Sequence, residues 1–163
     1  MRLDDSWALD GISRDRLDLA ASEAAPQLQA LLSRTGRGAE YTGWLDLPVA
    51  TTPDMLARLE GTAAELRNRS DIVVVCGIGG SYLGARAGID FLNSARLGGV
   101  APEILFLGNS LSSWHLSRTL EKLTDRQFSV IVISKSGTTL ETALAFHVLR
   151  EELRRRYGPE GAR

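Results

Sequence analysis

The sequence predicts an α/β domain in which helices cover both faces of a parallel sheet, preceded by N-terminal helices. Three short apolar runs, at residues 72–76, 104–107 and 130–133, have the length and continuous hydrophobicity of strands buried on both faces. Each run is followed by a segment with apolar residues at helical spacing, and the connections are short. Alternating strands and helices with short connections form parallel sheets, and this pattern gives the fold class.

Before the first strand, the pattern predicts two helices and a loop. Ser13 is a capping residue for a helix over residues 13–34, in which Pro26 predicts a kink or a break. Residues 35–51 hold three glycines, a proline and no clean period, which is typical of a loop. The second helix, over residues 53–68, begins with a capping hydroxyl, a proline and an acidic residue.

A helix is expected after each strand, over residues 80–94, over 112–122 and from about 138. Gly80, Gly84 and Gly88 are spaced by four, which predicts a glycine face packed closely on the sheet. Gly158, followed by proline, is expected to end the last helix.

Composition and charge limit the class of protein. The 163 residues are 44% hydrophobic and 24% charged with a net charge of −1, which indicates a packed soluble domain without the basic excess that draws nucleic acid. The start is acidic, unlike a signal peptide, and the apolar runs are too short to cross a membrane. The single cysteine, Cys76, excludes an internal disulfide and fits a reducing, cytoplasmic location.

We divide the chain into two parts. Residues 1–70 are expected to form a helical segment that packs on the sheet domain of residues 71–163. Three strands are few for such a sheet, and the sequence stops where a fourth would be expected. We therefore expect the sheet domain to be truncated before its last strands.

A glycine-serine cluster follows the first strand in GIGGSYLG, residues 77–84. Ligands of parallel sheets bind beyond the carboxyl ends of strands, where helix N-termini favour anions. Tyr82 stands where a dinucleotide fingerprint needs glycine, Leu83 stands where a nucleophile elbow needs glycine, and the Gly-Lys-Ser/Thr ending of a P-loop is absent. The cluster thus predicts a small-anion site, with a tight turn that binds nothing as the alternative.

A second polar cluster, SKSGTT at residues 134–139, follows the third strand. It places four hydroxyls and the ammonium of Lys135 at the start of a helix, in a chain whose only other lysine is Lys122. Phosphate oxygens need many hydrogen-bond donors and some positive charge, and this loop provides both. The alternative is that Ser134 and Thr138 only cap the helix.

Four segments together resemble the bacterial type of the glucose-6-phosphate isomerase family: GWLDLP at 43–48, GIGGSYLGAR at 77–86, GNSLSS at 108–113 and ISKSGTTLET at 133–142. The resemblance runs from about residue 40 to the end and covers roughly the first third of a family chain. It implies a sugar-isomerase (SIS) domain, a three-layer αβα sandwich.

The resemblance also implies roles for particular residues. The phosphate pocket of the family matches Gly80, Ser81, Ser134, Lys135, Ser136, Thr138 and Thr139. The family often has threonine at the position of Ser136, and serine keeps the donor. An acid near the sugar matches Glu141, for which a plain helix-surface role is the alternative. No cofactor and no metal are implied.

The implied reaction interconverts glucose 6-phosphate and fructose 6-phosphate in glycolysis and gluconeogenesis. Its base glutamate, ring-opening histidine and enediol-stabilising arginine are expected beyond Arg163, so no catalytic residue is assigned within this chain. The implied partner is a sugar phosphate, without nucleic acid or membrane, and the parent protein is expected to be a homodimer or larger.

Two other functions stay open at this stage. A non-catalytic sugar-phosphate sensor would carry a DNA-binding segment, but residues 1–70 have eight basic and eleven acidic residues. A purely structural α/β domain would bind nothing at either loop. His115 and His147 have no partners at ligand spacing and are interpreted as structural.

Overall fold

The structure, a computed structural model, describes residue 7, residues 11–94 and residues 102–161. The acidic start of the chain, residues 1–6, lies outside the described residues. The chain divides into two compact units that meet in sequence at residues 56 and 57. Within the described residues no helix has the length and apolar character needed to cross a membrane.

The first helix, α1 (Arg14–Ser33), has the start that the sequence predicts. The Ser13 side chain accepts a hydrogen bond from the Arg16 N–H at 3.4 Å. The helix runs through Pro26 without interruption, so the predicted break is wrong. Proline removes one of the many backbone hydrogen bonds of a 20-residue helix, and the turns on either side hold the helix together.

Residues 35–51 are more regular than the predicted loop. They contain a 3₁₀ helix over Ala39–Leu45 and a short helix, α2 (Leu47–Ala50). Inside the 3₁₀ helix the Thr42 hydroxyl donates to the Ala39 carbonyl at 2.6 Å. The spacing of apolar residues does not indicate these turns, because a 3₁₀ helix repeats every three residues and is too short to show a period.

The third helix, α3 (Pro53–Arg69), agrees with the predicted helix over residues 53–68. The Thr52 hydroxyl oxygen accepts a hydrogen bond from the Met55 N–H at 3.2 Å, which satisfies one of the donors at the helix start.

The sheet has three parallel strands, β1 (Ile72–Cys76), β2 (Glu103–Leu107) and β3 (Phe128–Val132), in the order β2-β1-β3. Val74 of the central strand pairs with Leu105 on one side and with Val130 on the other. All five residues of β1 are buried, as expected for a strand with neighbours on both edges and helices on both faces.

The third strand starts two residues earlier than the predicted run at 130–133 and ends one residue earlier. Ser129 lies within it, and its hydroxyl is 2.6 Å from the hydroxyl of Ser70. A hydrogen-bonded serine can occupy a part-buried strand position. Because Ser129 is polar, a prediction based on apolar runs placed the start of β3 after it. Pairing still extends past β3, because the Ile133 N–H donates to the Cys76 carbonyl at 2.9 Å.

Three helices follow the strands: α4 (Leu83–Ser94), α5 (Ser113–Leu123) and α6 (Leu140–Gly161). The Ser112 hydroxyl caps α5 by accepting from the His115 N–H at 3.2 Å. In α6 the conformation at Gly158 is not helical, with φ 73° and ψ 179°, so regular helix ends there as predicted.

The predicted glycine face of the helix after β1 is wrong. Gly80 precedes α4 and lies in a 3₁₀ turn, and a Cβ added at Gly84 or Gly88 would meet nothing within 4 Å. Both helical glycines are exposed, so they make no close contact with the sheet.

The helices form layers on opposite faces of the sheet. The side chains of Ile72, Val74 and Cys76 form the main core with Leu123 of α5 and Leu149 of α6. Alternate residues of a strand point to opposite faces, so Val73 and Val75, also buried, face the other layer.

Phe106, which pairs with Val75, identifies the helix of that second layer. Its ring is 5.7 Å from the ring of Tyr82, at the start of α4, and the Arg86 guanidinium lies 5.9 Å from its centre. The predicted α/β class with helices on both faces of a parallel sheet is confirmed.

Candidate anion-binding cleft

A tight turn follows β1 and carries the first glycine-serine cluster. Residues 79–81 form one turn of 3₁₀ helix, closed by hydrogen bonds from Ser81 N–H to Ile78 O and from Tyr82 N–H to Gly79 O, both 3.1 Å. Gly79 has φ 57°, a backbone conformation that glycine adopts without strain. Because the turn takes up these residues, α4 starts at Leu83 instead of residue 80.

The second loop, after β3, is held by its own hydroxyl groups. The Ser134 Oγ accepts the Gly137 N–H at 3.0 Å, and the Ser136 Oγ accepts both the N–H and the hydroxyl of Thr138, at 3.2 and 3.1 Å. The Ser136 and Thr139 hydroxyls are 3.5 Å apart. These bonds of Ser134 and Thr138 fold the loop on itself before α6 begins, so they close the loop and do not cap the helix.

The two loops meet at the end of β1. Gly77 is buried, and a Cβ added there would lie 3.1 Å from the Ser81 Cβ and 3.3 Å from the Ile133 carbonyl oxygen. Gly77 is therefore packed between Ser81 of the first loop and Ile133, which directly precedes the second loop. The two loops are therefore adjacent at the carboxyl ends of β1 and β3.

The strand order explains why the loops meet. The chain leaves β1 through α4 to reach β2 on one side, and returns through α5 to place β3 on the other side of β1. From the adjacent ends of β1 and β3, the chain continues to α4 on one face and α6 on the other. Such a divergence opens a crevice, which is where ligands bind in open α/β sheets.

The crevice is a cleft of about 640 Å³ that both loops line. Its lining residues are Ile78, Gly80, Ser81, Ile133, Ser134, Lys135, Ser136 and Thr139. Six of the seven residues for which the sequence predicted phosphate binding are thus brought together. The two isoleucines were not predicted, although Ile78 lies within the first cluster and Ile133 directly precedes the second.

The chemistry of the cleft suits an anion. Lys135 contributes an ammonium group, and the four hydroxyl-bearing residues add donors. Among the described residues that line the cleft there is no carboxylate. Cys76, at the end of β1, is buried, and this burial raises the pKa of its thiol to about 12, so it remains protonated at neutral pH.

Two predicted residues lie beside the cleft. Thr138 is not among its lining residues and reaches it through the hydrogen bonds to Ser136. Glu141 is in the first turn of α6, half-buried, and also outside the lining. The predicted role of Glu141 near a sugar stays a prediction.

A larger cleft of about 820 Å³ lies along the edge strand β2, and its residues include His115. The basic side chains of this cleft have acidic neighbours: Lys122 is 3.2 Å from Glu103, and Arg86 is 3.4 Å from Asp90. Its charges are thus balanced locally, and none of the predicted phosphate-binding residues lines it. We therefore assign the candidate site to the smaller cleft.

Comparison with known proteins identifies similar sequences. The family model for phosphoglucose isomerase matches residues 61–162. The chain is 48% identical over 144 residues to the glucose-6-phosphate isomerase of Pediococcus pentosaceus, covering 83% of this chain and 32% of that protein. It is 42% identical over 168 residues to the enzyme of the same name from Enterococcus faecalis, covering 99% and 37%.

A solved structure is also similar. A crystal structure of a hypothetical protein from Thermus thermophilus matches with a TM-score of 0.67 and 27% sequence identity, over 88% of this chain and 34% of that one. The chain spans about a third of the length of the curated relatives it matches. These relatives are named as isomerases, and the sensor alternative has no support from them.

Proposed function

Because the chain belongs to the phosphoglucose isomerase family, we propose that it is the phosphosugar-binding N-terminal part of a glucose-6-phosphate isomerase. The parent enzyme interconverts glucose 6-phosphate and fructose 6-phosphate, in glycolysis and gluconeogenesis. The observation that carries the proposal is the convergence of the loops after β1 and β3 on one cleft.

The cleft binds the phosphate group of the sugar. The phosphate dianion accepts hydrogen bonds from Ser81, Ser134, Ser136 and Thr139 and is neutralised in part by Lys135. Thr138 supports Ser136 through their hydrogen bonds, and Glu141 follows the loop in the first turn of α6. The phosphate is remote from the reacting carbons, and its binding energy serves to position the sugar for the chemical step.

The isomerisation itself moves a proton between C1 and C2 through an enediol and needs an acid/base pair. We place these groups in the two thirds of the relatives' length that this chain does not span. The 163-residue chain is then expected not to turn over glucose 6-phosphate in an assay free of host enzyme. Measurable turnover would put the acid/base groups within this chain and contradict the proposal.

Binding is tested by titrating the chain with fructose 6-phosphate and following backbone amide shifts by nuclear magnetic resonance (NMR). The shifts are expected to concentrate at residues 77–84 and 134–139. Lys135→Met is expected to weaken binding about 10- to 100-fold, because it removes a charge-assisted hydrogen bond.

The chain offers a matched control for that substitution in its other lysine. Lys122 lies at the β2 edge, 3.2 Å from Glu103 and outside the proposed cleft. Lys122→Met removes the same charge and is expected to leave the affinity unchanged. Equal weakening by both variants would show that the effect is one of net charge and that the cleft is not the binding site.

The location and assembly of the protein belong to the same proposal. A buried free thiol fits the reducing cytoplasm, where we place the protein. The partner is a sugar phosphate, without nucleic acid or membrane, and we propose that the parent enzyme is a homodimer or a larger homo-oligomer.

A further inference from the structure

Gly108, which lies outside the lining of the cleft, packs against the backbone of α6. Gly108 directly follows β2 and has φ 81°. A Cβ added at Gly108 would lie 3.1 Å from the Thr142 Cα, 3.5 Å from the Ala145 Cβ and 3.5 Å from the Gly77 N atom. The first of these neighbours is helix backbone, which cannot rotate away, so the contact fixes how close α6 approaches the sheet.

The same junction is tied to the ends of β1 and β2. The Gly77 N–H donates to the carbonyl of Leu107, the residue before Gly108, at 3.1 Å. Thr142 is only 2% exposed, and its hydroxyl lies 3.5 Å from the Gly108 carbonyl oxygen. The end of β1, the end of β2 and the first turn of α6 therefore meet around one glycine.

This junction has direct connections to both loops of the cleft. Gly77 precedes the turn that carries Ser81, and Thr142 follows Thr139 by about one helical turn. Thr142 is in α6, and the Thr139 carbonyl accepts a hydrogen bond from the Ala143 N–H at 2.9 Å, so a displacement of α6 at Thr142 moves Thr139 relative to Ser81. Gly108 itself is not among the residues that line the cleft.

We propose that Gly108 is a positioning residue for phosphate binding. By lacking a side chain it lets α6 approach the ends of β1 and β2, and so sets the separation of the two loops that hold the ligand. The inference rests on the proposed function for its ligand, but the loop geometry it describes can be measured without any ligand.

The test is Gly108→Ala. Its Cβ pushes α6 outward, and the φ of 81° adds backbone strain, which substitutions at Thr142 avoid. Fructose 6-phosphate affinity, measured by NMR on the folded chain, is expected to fall about tenfold or more, because ligand contacts depend on placement well below 1 Å. Ile72→Val is the control. It removes a methylene from a fully buried residue at the opposite end of β1, and is expected to lower stability while keeping the wild-type affinity.

A second pair of variants covers the case in which Gly108→Ala does not fold. Thr142→Val keeps the buried shape and removes the hydroxyl that faces the Gly108 carbonyl oxygen, and a loss of a few-fold in affinity is expected. Thr142→Ser retains the hydroxyl and is expected to bind as the wild type does. Wild-type affinity in Thr142→Val and in any folded Gly108→Ala would overturn the inference and leave the proposed function intact.

If the wild-type chain binds no fructose 6-phosphate, the proposed function fails. The positioning role of Gly108 can still be tested, by the backbone amide shifts of the chain measured without ligand. Gly108→Ala, or Thr142→Val in its place, is then expected to move the shifts of residues 134–139, whereas Ile72→Val leaves them in place. Unchanged shifts at those residues would overturn the role of Gly108.

Discussion

Gly77→Ala probes the contact between the two loops most directly. The added Cβ would meet three atoms closer than ordinary van der Waals contact: the Ser81 Cβ at 3.1 Å, the Ser81 carbonyl oxygen at 3.2 Å and the Ile133 carbonyl oxygen at 3.3 Å. Gly77 is not among the glycines with positive φ, so the expected cost is steric and does not come from backbone strain.

The size of the effect follows from those neighbours. Two of the three are backbone oxygens, one on each loop, so relief requires the loops to separate by a few tenths of an ångström. Overpacking of this kind costs about 1–3 kcal/mol, and we expect the free energy of unfolding to fall by that amount. The same separation is expected to weaken fructose 6-phosphate binding by about three- to tenfold.

Urea unfolding followed by circular dichroism measures the stability, and an NMR titration measures the affinity. Gly88→Ala is the control, because its Cβ would meet nothing within 4 Å on an exposed turn of α4. That variant is expected to gain about 0.5–1 kcal/mol from helix propensity. A Gly77→Ala chain as stable as the wild type would refute the inference that the two loops are in contact.

Two further predictions concern groups outside the cleft. Burial raises the pKa of Cys76 to about 12, so a thiol reagent at mildly alkaline pH is expected to label it only as fast as the chain unfolds; rapid labelling of the folded chain would contradict its place in the core. Hydrogen bonds from Arg155 and Arg156 lower the pKa of Glu152 from 4.5 to about 2. A carboxylate whose pKa is lower in the folded than in the unfolded state stabilises the fold at pH values above the unfolded-state pKa. This contribution is lost as the pH falls toward the folded-state pKa. Glu152→Gln is therefore expected to lower the free energy of unfolding by about 1 kcal/mol at neutral pH. In urea unfolding at several pH values this difference should shrink between pH 4.5 and about 2, and a constant difference would contradict it.

Most of the secondary structure of the sheet domain could be predicted, for a physical reason that is clear at β1. A continuous run of β-branched residues, followed by glycine, fits a strand buried on both faces, and both predicted ends of β1 are confirmed. β3 was placed less well, because its second residue is Ser129, whose hydroxyl is satisfied by Ser70, 59 residues away in the chain. Apolar periodicity carries no information about such a partner.

The candidate site was predicted residue by residue, but not its supporting contacts. Serines, threonines and a lysine between a strand and a helix have a recognisable chemistry, and six of them with Gly80 made up the predicted set. The contacts of Gly77 with Ile133 and of Gly108 with Thr142 join residues 34 or more positions apart. A glycine shows in the sequence that close approach is possible there, but not which atoms approach it.

Local patterns along the chain were enough to identify which segments become strands, which residues follow them, and that those residues suit an anion. That the two polar loops line one cleft follows only from the folded arrangement, because the strand order is β2-β1-β3. Neighbouring strands lie about 4.8 Å apart, so an order that followed the chain would have put β2 between the loops and separated them by about 10 Å. Strand order results from pairing between distant segments and from helices that must cover both faces of the sheet, and no local pattern in the sequence encodes it.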